Sequence, residues 1–294
     1  MKIIILVAGA TGSLGEKICQ ELLSGGANVR ALIRSGSSPE KIQALRDAGI
    51  ETFSADYNDA SQLATACSGV SCVVSALAGL HEVIVEAQSQ LLDAAVDAGV
   101  PRFIPSDFCT DYTQLPEGCN RNFDLRKTFS EIAESRPIRL TSVFNGAFSY
   151  VLRFGIPLLN QRDQSIAYYE GKADWKIDFT SLEDTAAFTA AAALDDSAPR
   201  FLRIAGFRAS PEDFVALSGK VFGTPFRLEH NGTLDQFKET IEKVRKAHPE
   251  GEHELYPAWQ QMQYLYSMFV AHHHELDNNR YPDLSWQTAG EALQ

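Results

Sequence analysis

The chain has 294 residues, of which 45% are hydrophobic, with a net charge of −12 and a pI near 5.0. This length and apolar content can bury a large core, so we expect a globular protein of one large α/β domain or two smaller ones. Nucleic-acid phosphates and anionic membranes bind clustered basic residues, so the acidic balance argues against both as main partners.

The five cysteines contain no C-x-x-C pair, which favours a reducing compartment over a disulfide framework, and we expect a cytoplasmic protein. The N-terminal run IIILVA resembles the apolar part of a signal peptide, but it is short and leads into a glycine turn. We therefore interpret it as a buried first strand. No stretch of the sequence approaches the length of a membrane span.

Apolar runs alternate with helix-period segments through the first half, which predicts parallel βαβ units. The predicted elements are strand 3–8, helix 13–24, strand 28–33, helix 39–48, strand 50–54, helix 59–67, strand 70–76, helix 82–98, strand 102–105, helix 122–135 and strand 138–143. This order predicts an α/β fold with a doubly wound parallel sheet of the Rossmann type.

After Asn145 the regular alternation of predicted strands and helices ends. The predicted elements are two short strand-like runs within 165–179, helix 182–194, strand 201–205, and helices 210–221, 233–248 and 256–272. We predict a Rossmann-type domain over 1–150 and a smaller C-terminal α/β substrate lobe over 151–294. The stretch 182–206 is a candidate to return to the first sheet, and a cleft between the lobes is the expected site.

The first strand ends in GATGSLG, and a helix-period segment follows. In this context the first glycine allows a tight turn, the second lets backbone N–H groups approach a pyrophosphate, and the third lets the helix lie close to the strand. The helix dipole adds a favourable field for an anion. We predict that a dinucleotide lies against Gly9, Thr11, Gly12, Ser13, Leu14 and Gly15.

The spacing G-x-x-G-x-x-G resembles that of extended and atypical short-chain dehydrogenases. At the end of the second strand, Arg34 stands where an NAD-specific site carries Asp or Glu, and serines and Lys41 follow. A guanidinium and an ammonium suit a 2′-phosphate, so the sequence favours NADP(H) over NAD(H). A solvated basic loop is the alternative.

Seven segments, in this order, resemble the NmrA-like and isoflavone-reductase-like proteins, whose plant members include phenylcoumaran benzylic ether and pinoresinol reductases. They are GATGSLG, Arg34 with PEK (39–41), VVSALAG (73–79), RFIPSDF (102–108), FDLRKTF (123–129), IDFTSLEDTA (177–186) and the terminal YPDLSWQTAGEAL. The resemblance implies that the loops after the fourth and fifth strands line the ribose and nicotinamide end of the cofactor. Their cofactor-lining residues would be Ala76, Leu77, Pro105, Ser106 and Asp107.

The plant reductases carry a catalytic lysine on the helix after RFxPSEFG, and this chain has Arg126 at that position. Helix spacing puts Arg126 near the edge of the packed face and Lys127 almost opposite, so we expect Lys127 to face solvent. Arginine can only donate hydrogen bonds, so Arg126 would clamp a carboxylate or stabilise an enolate or phenolate. A structural ion pair is the alternative. The proton would come from water or from Tyr112, Asp107 or Tyr150.

The aromatic segment after the sixth strand lies where the family builds its substrate pocket; it contains Phe144, Asn145, Phe148, Tyr150 and Phe154. We predict a pocket formed by Phe108, Asn145, Phe148 and Tyr150. Aromatic walls suit a flat, weakly polar substrate. Packing between the lobes is the alternative.

Three other patterns are weaker evidence for a catalytic or metal site. Tyr168 and Lys172 fit the form Tyr-x-x-x-Lys, but Gly171 between them disfavours the helix that the pair requires. The run His272 to Glu275 is interpreted as a polar helix end, so we expect no metal site. There is no G-x-S-x-G motif, and Asp184 is predicted to belong to a helix start.

The best hypothesis is an NADPH-dependent reductase that transfers hydride to a small aromatic or conjugated carbonyl or quinone-type substrate. The second is a non-catalytic NAD(P)-binding redox sensor that regulates a protein partner, as some NmrA-like proteins do. The third, an epimerase or dehydratase of a nucleotide sugar, normally needs the tyrosine–lysine pair.

Overall fold

The main sheet contains six parallel strands in the order β3-β2-β1-β4-β5-β6. They are β1 (Ile4–Ala8), β2 (Asn28–Ile33), β3 (Glu51–Ser54), β4 (Cys72–Ser75), β5 (Arg102–Ile104) and β6 (Arg139–Leu140). The computed structural model describes residues 3–153 and 156–294, so the predicted aromatic Phe154 lies outside it. The strand order reverses between β1 and β4, where open α/β sheets bind their ligands. The predicted doubly wound parallel sheet is confirmed.

Helices connect these strands, and apart from the start of α4 their bounds match the predicted ones within one residue. They are α1 (Ser13–Ser24), α2 (Pro39–Asp47), α3 (Ala60–Cys67), α4 (Gln88–Asp97) and α5 (Arg121–Glu134). The predicted helix 82–98 opens with a π-helical turn, Glu82–Ala87, before α4 begins. Such turns are frequent at functional sites.

The predicted strand 138–143 changes partners midway. Thr141 N donates to Phe103 O at 3.1 Å, and the next amide, Ser142 N, donates to Arg200 O at 2.8 Å. The chain therefore leaves β5 and continues as β7 (Ser142–Phe144), which pairs in parallel with a strand from the second half of the sequence.

The second half contains two small three-stranded sheets and five helices in the described part. The elements are β8 (Ala147–Phe148), β9 (Leu159–Asn160), β10 (Ser165–Tyr168), β11 (Ile177–Thr180), α6 (Leu182–Leu194), β12 (Phe201–Arg203), β13 (Phe207–Ala209), α7 (Pro211–Phe222), β14 (Arg227–His230), α8 (Leu234–Ala247), α9 (Ala258–Val270) and α10 (Ala289–Leu293). One sheet has the order β14-β10-β9 and the other β13-β11-β8. Asp184 lies in the first turn of α6, as predicted.

The main sheet is buried on both faces because successive strand residues point to opposite sides. Val7 belongs to the cluster under α1 and α6, whereas Leu6 belongs to the cluster under α3, α4 and α5. A third apolar cluster, which includes Phe179 and Phe214, forms the core of the second lobe.

The helix α6 belongs to the second half of the chain but packs on the first sheet. Phe188 of α6 lies in the same cluster as Ile18 of α1, and Lys17 Nζ lies 2.8 Å from Glu183 Oε1. The strand β12, which follows α6, pairs with β7. The division into separate domains at residue 150 stays a prediction.

No helix within residues 3–153 and 156–294 combines the length and the apolar character that crossing a bilayer requires.

A buried arginine joins β5 to the end of α6. Arg102 is 2% exposed, and its guanidinium donates to Ala193 O at 2.9 Å and to Ala192 O at 2.6 Å. The last carbonyls of a helix have no intrahelical partner and carry the negative end of its dipole. Arg102 therefore satisfies them from the neighbouring strand.

Replacing Arg102 with methionine should lower the free energy of unfolding by about 2–4 kcal/mol, because charge-assisted hydrogen bonds to buried carbonyls are lost. Urea denaturation measures this change. Arg162→Met, at an exposed position between β9 and β10, is the matched control and should change it by less than about 0.5 kcal/mol. Similar small effects in both variants would contradict the capping role.

Candidate active site

The glycine turn between β1 and α1 leaves no room for side chains. Gly9 has a φ of +80°, and a Cβ atom there would overlap the carbonyl oxygen of Ala76. A Cβ atom on Gly15 would overlap the carbonyl oxygen of Gly9. The chain adopts this turn because Gly12 N donates to Gly9 O at 2.9 Å. The helix α1 therefore begins in backbone contact with β1.

The first turn of α1 presents free backbone donors. Gly12 is the N-cap, and no side chain in the described part of the protein caps this helix end. The N–H groups of Ser13, Leu14 and Gly15 have no intrahelical acceptor at these positions. This arrangement can hold a pyrophosphate through hydrogen bonds and the helix dipole.

The two basic residues predicted for the 2′-phosphate lie after β2. Arg34 is exposed, directly after the last residue of that strand. Lys41 lies in the first turn of α2, and its Nζ donates to Thr11 O at 2.8 Å. Lys41 therefore reaches the glycine turn, as a residue near the adenosine end of a dinucleotide would.

The loops after β4 and β5 meet beside the glycine turn. Ala76 N donates to Ala8 O at 2.8 Å, and Ser106 Oγ donates to Leu77 O at 2.6 Å. Ser106 N donates to Oε1 of the buried Gln88 at 2.9 Å. The predicted cofactor residues of both loops are thus brought to one edge of the sheet.

The side chain of Asp107 points away from that edge. It is 1% exposed, and Oδ2 accepts hydrogen bonds from Ser142 Oγ at 2.6 Å and from Tyr112 OH at 3.0 Å. Burial raises the pKa of the Asp107 carboxyl and of the Tyr112 hydroxyl. These two candidate proton donors are therefore buried and hydrogen-bonded to each other.

Arg126 lies on α5 and reaches the loop after β5. Its Nε donates to Ser106 O at 2.9 Å, and its Nη1 donates to Asn122 O at 2.8 Å. Within residues 3–153 and 156–294 its Nη2 donates no hydrogen bond. Arg126 thus has one nitrogen left for a ligand.

The prediction that Lys127 faces solvent is wrong. Its side chain is half-buried, and its Nζ donates to the carbonyl of Leu115. Helical periodicity could not reveal that the loop before α5 brings the carbonyl of Leu115 to this side chain.

The four predicted pocket residues lie in different surroundings. Phe108 is buried in the apolar cluster beneath α6, whereas Tyr150 is 44% exposed and stacks on Phe148 with ring centroids 5.7 Å apart. Asn145 is 0% exposed, and neither polar atom of its side-chain amide has a hydrogen-bond partner among the described residues. Such a buried amide is costly unless something pairs with it. Phe108 therefore packs in the core, while the other three stay candidates for a pocket.

Two further tyrosines lie near Arg126 and were not predicted as site residues. Tyr264 of α9 accepts a hydrogen bond from Asn122 Nδ2 at 2.9 Å, and its ring lies 6.4 Å from that of the exposed Tyr256. Burial raises the pKa of Tyr264 to about 12, although the charge of Arg126 opposes that rise. The aromatic run in this helix was visible in the sequence, but its partner lies 142 positions away.

A groove of about 660 Å³ lies beside the first two turns of α9. Its lining includes Leu152, Ile156 and Leu159 on one side and Ala258 and Met262 of α9 on the other. Its volume is that of a site for a small organic ligand, and its walls combine apolar and polar side chains.

The histidine run lies after α9, which ends at Val270. His272 stacks on Trp175 at 4.4 Å, and His273 is 1% exposed with its backbone N donating to Asp178 Oδ2 at 2.6 Å. Burial lowers the pKa of His273. The described residues contain no group of three or more side chains arranged to hold a metal ion. Tyr168 ends β10 and is not in a helix with Lys172, as predicted.

Comparison with known proteins adds a family and a set of related folds. The model of the NmrA-like family matches residues 1–292. The probable pinoresinol-lariciresinol reductase 3 of Arabidopsis thaliana is 26% identical over 306 residues, which cover 98% of this chain and 96% of that protein. The structure of AtPrR2 with NADP⁺ and (+)pinoresinol matches with a TM-score of 0.80 at 24% identity, over 100% of this chain and 98% of the other. A crystal structure of isoflavone reductase matches with a TM-score of 0.82 at 22% identity, over 100% and 99% of the two chains.

Because burial raises the pKa of Asp107, the folded protein binds this proton more tightly than the unfolded chain does. Ionisation of Asp107 above its unfolded pKa of about 4 therefore costs stability as the pH rises. We expect the unfolding free energy of Asp107→Asn, relative to the wild type, to increase between about pH 4 and about pH 7. Urea denaturation at several pH values measures it. Asp97→Asn, at an exposed position, is the control, and a flat difference for Asp107→Asn would contradict the burial argument.

Proposed function

The chain belongs to the NmrA-like family, and on that premise we propose that it is an NADPH-dependent reductase. The substrate is a small aromatic or conjugated carbonyl, or a quinone, which gains a hydride. One observation carries this proposal: a chain of hydrogen bonds runs from the strand end at the glycine turn to Arg126. Ala76 N donates to Ala8 O, and the next residue, Leu77, accepts from Ser106 Oγ. The backbone carbonyl of Ser106 in turn accepts from Arg126 Nε.

The residues of the first lobe fit the cofactor. The glycine turn is a cradle that a Cβ atom would fill, and its free N–H groups suit a pyrophosphate. Arg34 and Lys41 hold the 2′-phosphate, because a guanidinium and an ammonium both pair with phosphate oxygens. Ala76, Leu77, Pro105, Ser106 and the backbone of Asp107 line the ribose and nicotinamide end.

NADPH supplies a hydride when it is bound. Arg126 directs its free Nη2 to the substrate oxygen and stabilises the negative charge that develops there during hydride transfer. Phe148, Tyr150 and Tyr256 form aromatic walls that exclude water from a flat substrate, and the buried amide of Asn145 hydrogen-bonds the ligand. The groove beside α9 is the candidate place for substituents beyond the reacting ring.

A redox sensor is the second candidate function. It is favoured by Arg126, because two of its three nitrogens already bond to backbone carbonyls, as a structural residue would. A sensor binds dinucleotides without turnover and prefers one oxidation state. Calorimetric titration with NADPH, NADP⁺, NADH and NAD⁺ distinguishes it from a reductase when combined with the turnover assay below.

Arg34→Ser should weaken NADPH binding by about 10–100-fold, because charged hydrogen bonds to the 2′-phosphate are lost. NADH has no such phosphate, so its affinity should stay unchanged. Calorimetric titration measures both affinities, and Arg162→Ser is the control for the loss of one surface charge. Equal NADPH binding by wild type and Arg34→Ser would refute the assignment of Arg34.

Arg126→Met should lower turnover of aromatic carbonyls and quinones by about 100-fold or more, because the developing oxyanion loses its donor. Arg126→Lys keeps the charge and should retain part of the rate. NADPH oxidation measures turnover with coniferaldehyde, chalcone and menadione as substrates. Unchanged turnover in Arg126→Met, at an unchanged melting temperature, would rule out a role for this side chain in the reaction.

A further inference from the structure

A tyrosine hydroxyl lies beside Arg126 and shares a partner with it. Asn122 of α5 donates through Nδ2 to the hydroxyl of Tyr264 at 2.9 Å, and its carbonyl accepts from Arg126 Nη1 at 2.8 Å. The ring of Tyr264 also packs edge-on against Phe123, with centroids 5.3 Å apart. Two contacts with α5 therefore hold Tyr264, and a third holds Arg126 on the same residue, Asn122.

Both groups retain unused donors. In the described ranges, 3–153 and 156–294, the hydroxyl of Tyr264 accepts a hydrogen bond but donates none, and Arg126 Nη2 donates none. Tyr112 differs, because its hydroxyl already donates a hydrogen bond to Asp107 inside the protein. The hydroxyl proton of Tyr264 and Nη2 of Arg126 are thus two donors without an acceptor among the described residues, both beside Asn122.

Two opposing effects act on the hydroxyl of Tyr264: burial disfavours its phenolate, and the charge of Arg126 favours it. Its raised pKa keeps the hydroxyl protonated near neutral pH, and the positive charge of Arg126 favours the phenolate that remains after a proton is given away. Arginine cannot supply that proton itself because it stays charged. Tyr150 and Tyr256 are 44% and 57% exposed, so neither hydroxyl is held by α5 as that of Tyr264 is.

We propose that Tyr264 donates the proton that completes the reduction, while Arg126 holds the charge on the substrate oxygen. This inference rests on the reductase function proposed above. The substrate carbon gains a hydride from NADPH, which leaves as NADP⁺, and the substrate oxygen gains the proton of Tyr264. The O–H bond of the tyrosine breaks, its phenolate is stabilised by Arg126 and Asn122, and water returns the proton.

The first test compares Tyr264→Phe with Tyr266→Phe, a matched control on the same helix. Tyr264→Phe should lower kcat by about 100-fold, with KM and NADPH affinity nearly unchanged, and should abolish the solvent deuterium isotope effect on kcat. Tyr266→Phe should behave as wild type. NADPH affinity also reports that each variant is folded.

The second test does not depend on turnover and uses 4-nitrophenolate as an oxyanion probe. The probe should bind in the site through Arg126 and the hydroxyl of Tyr264, so Tyr264→Phe should weaken its binding by about tenfold. The absorbance change of the probe measures this affinity. Tyr266→Phe is again the control.

The outcomes separate this inference from the reductase proposal. If the wild type turns over substrate and Tyr264→Phe is equally active, or if both bind the probe equally well, the role of Tyr264 is overturned and the reductase proposal stands. A wild type that binds NADPH but reduces none of the carbonyls and quinones overturns both. A lower kcat, a lost isotope effect and weaker probe binding together support the proton donor.

Discussion

The candidate site depends on the fixed position of α5 between the two halves of the protein. Arg121, in the first turn of this helix, donates to carbonyls of Gly251 and Glu254 and lies 4.6 Å over the ring of Trp259. Further along, Phe129 of the same helix is fully buried under the main sheet. The helix is therefore anchored in the second lobe at one end and in the first lobe at the other, and residues 122–126 lie between the two anchors.

This arrangement explains how cofactor and substrate groups come together. The backbone contact between Gly15 and Gly9 sets where the first helix begins, and the loop at Ala76 lies directly against that turn. The loop at Ser106 is bonded to its neighbour on one side and to Arg126 on the other. Any displacement of α5 would therefore be transmitted to the edge of the sheet where the dinucleotide is expected.

Much of the fold could be predicted because its signals are local. The glycine turn, the alternation of apolar runs and helix-period segments, and the helix starts each depend on a few neighbouring residues. The strand order and the return of 182–194 to the first sheet are long-range, and only the pattern typical of such sheets suggested them. The change of partner at Thr141 has no sequence signal, because an apolar run does not reveal which strand it pairs with.

The site was predictable only in part, for the same reason. Arg126 was found from its position in a familiar segment. Asp107 and Tyr112 were candidate proton donors, and nothing in the sequence reveals that Asp107 accepts hydrogen bonds from Ser142 and Tyr112 inside the protein. Tyr264 was missed because its relation to Asn122 exists only after α9 packs on α5. Residue type indicates what chemistry is available, whereas tertiary packing decides which groups can reach a ligand.

The late position of α6 in the sequence has a consequence for synthesis of the chain. One face of the first sheet is closed by a helix that ends at Leu194 and by a strand that ends at Arg203. As the ribosome releases the chain, the six strands of that sheet are complete about sixty residues earlier. During that interval the apolar residues that α6 covers in the folded protein have no partner from this helix, and exposed apolar surface of this kind promotes aggregation.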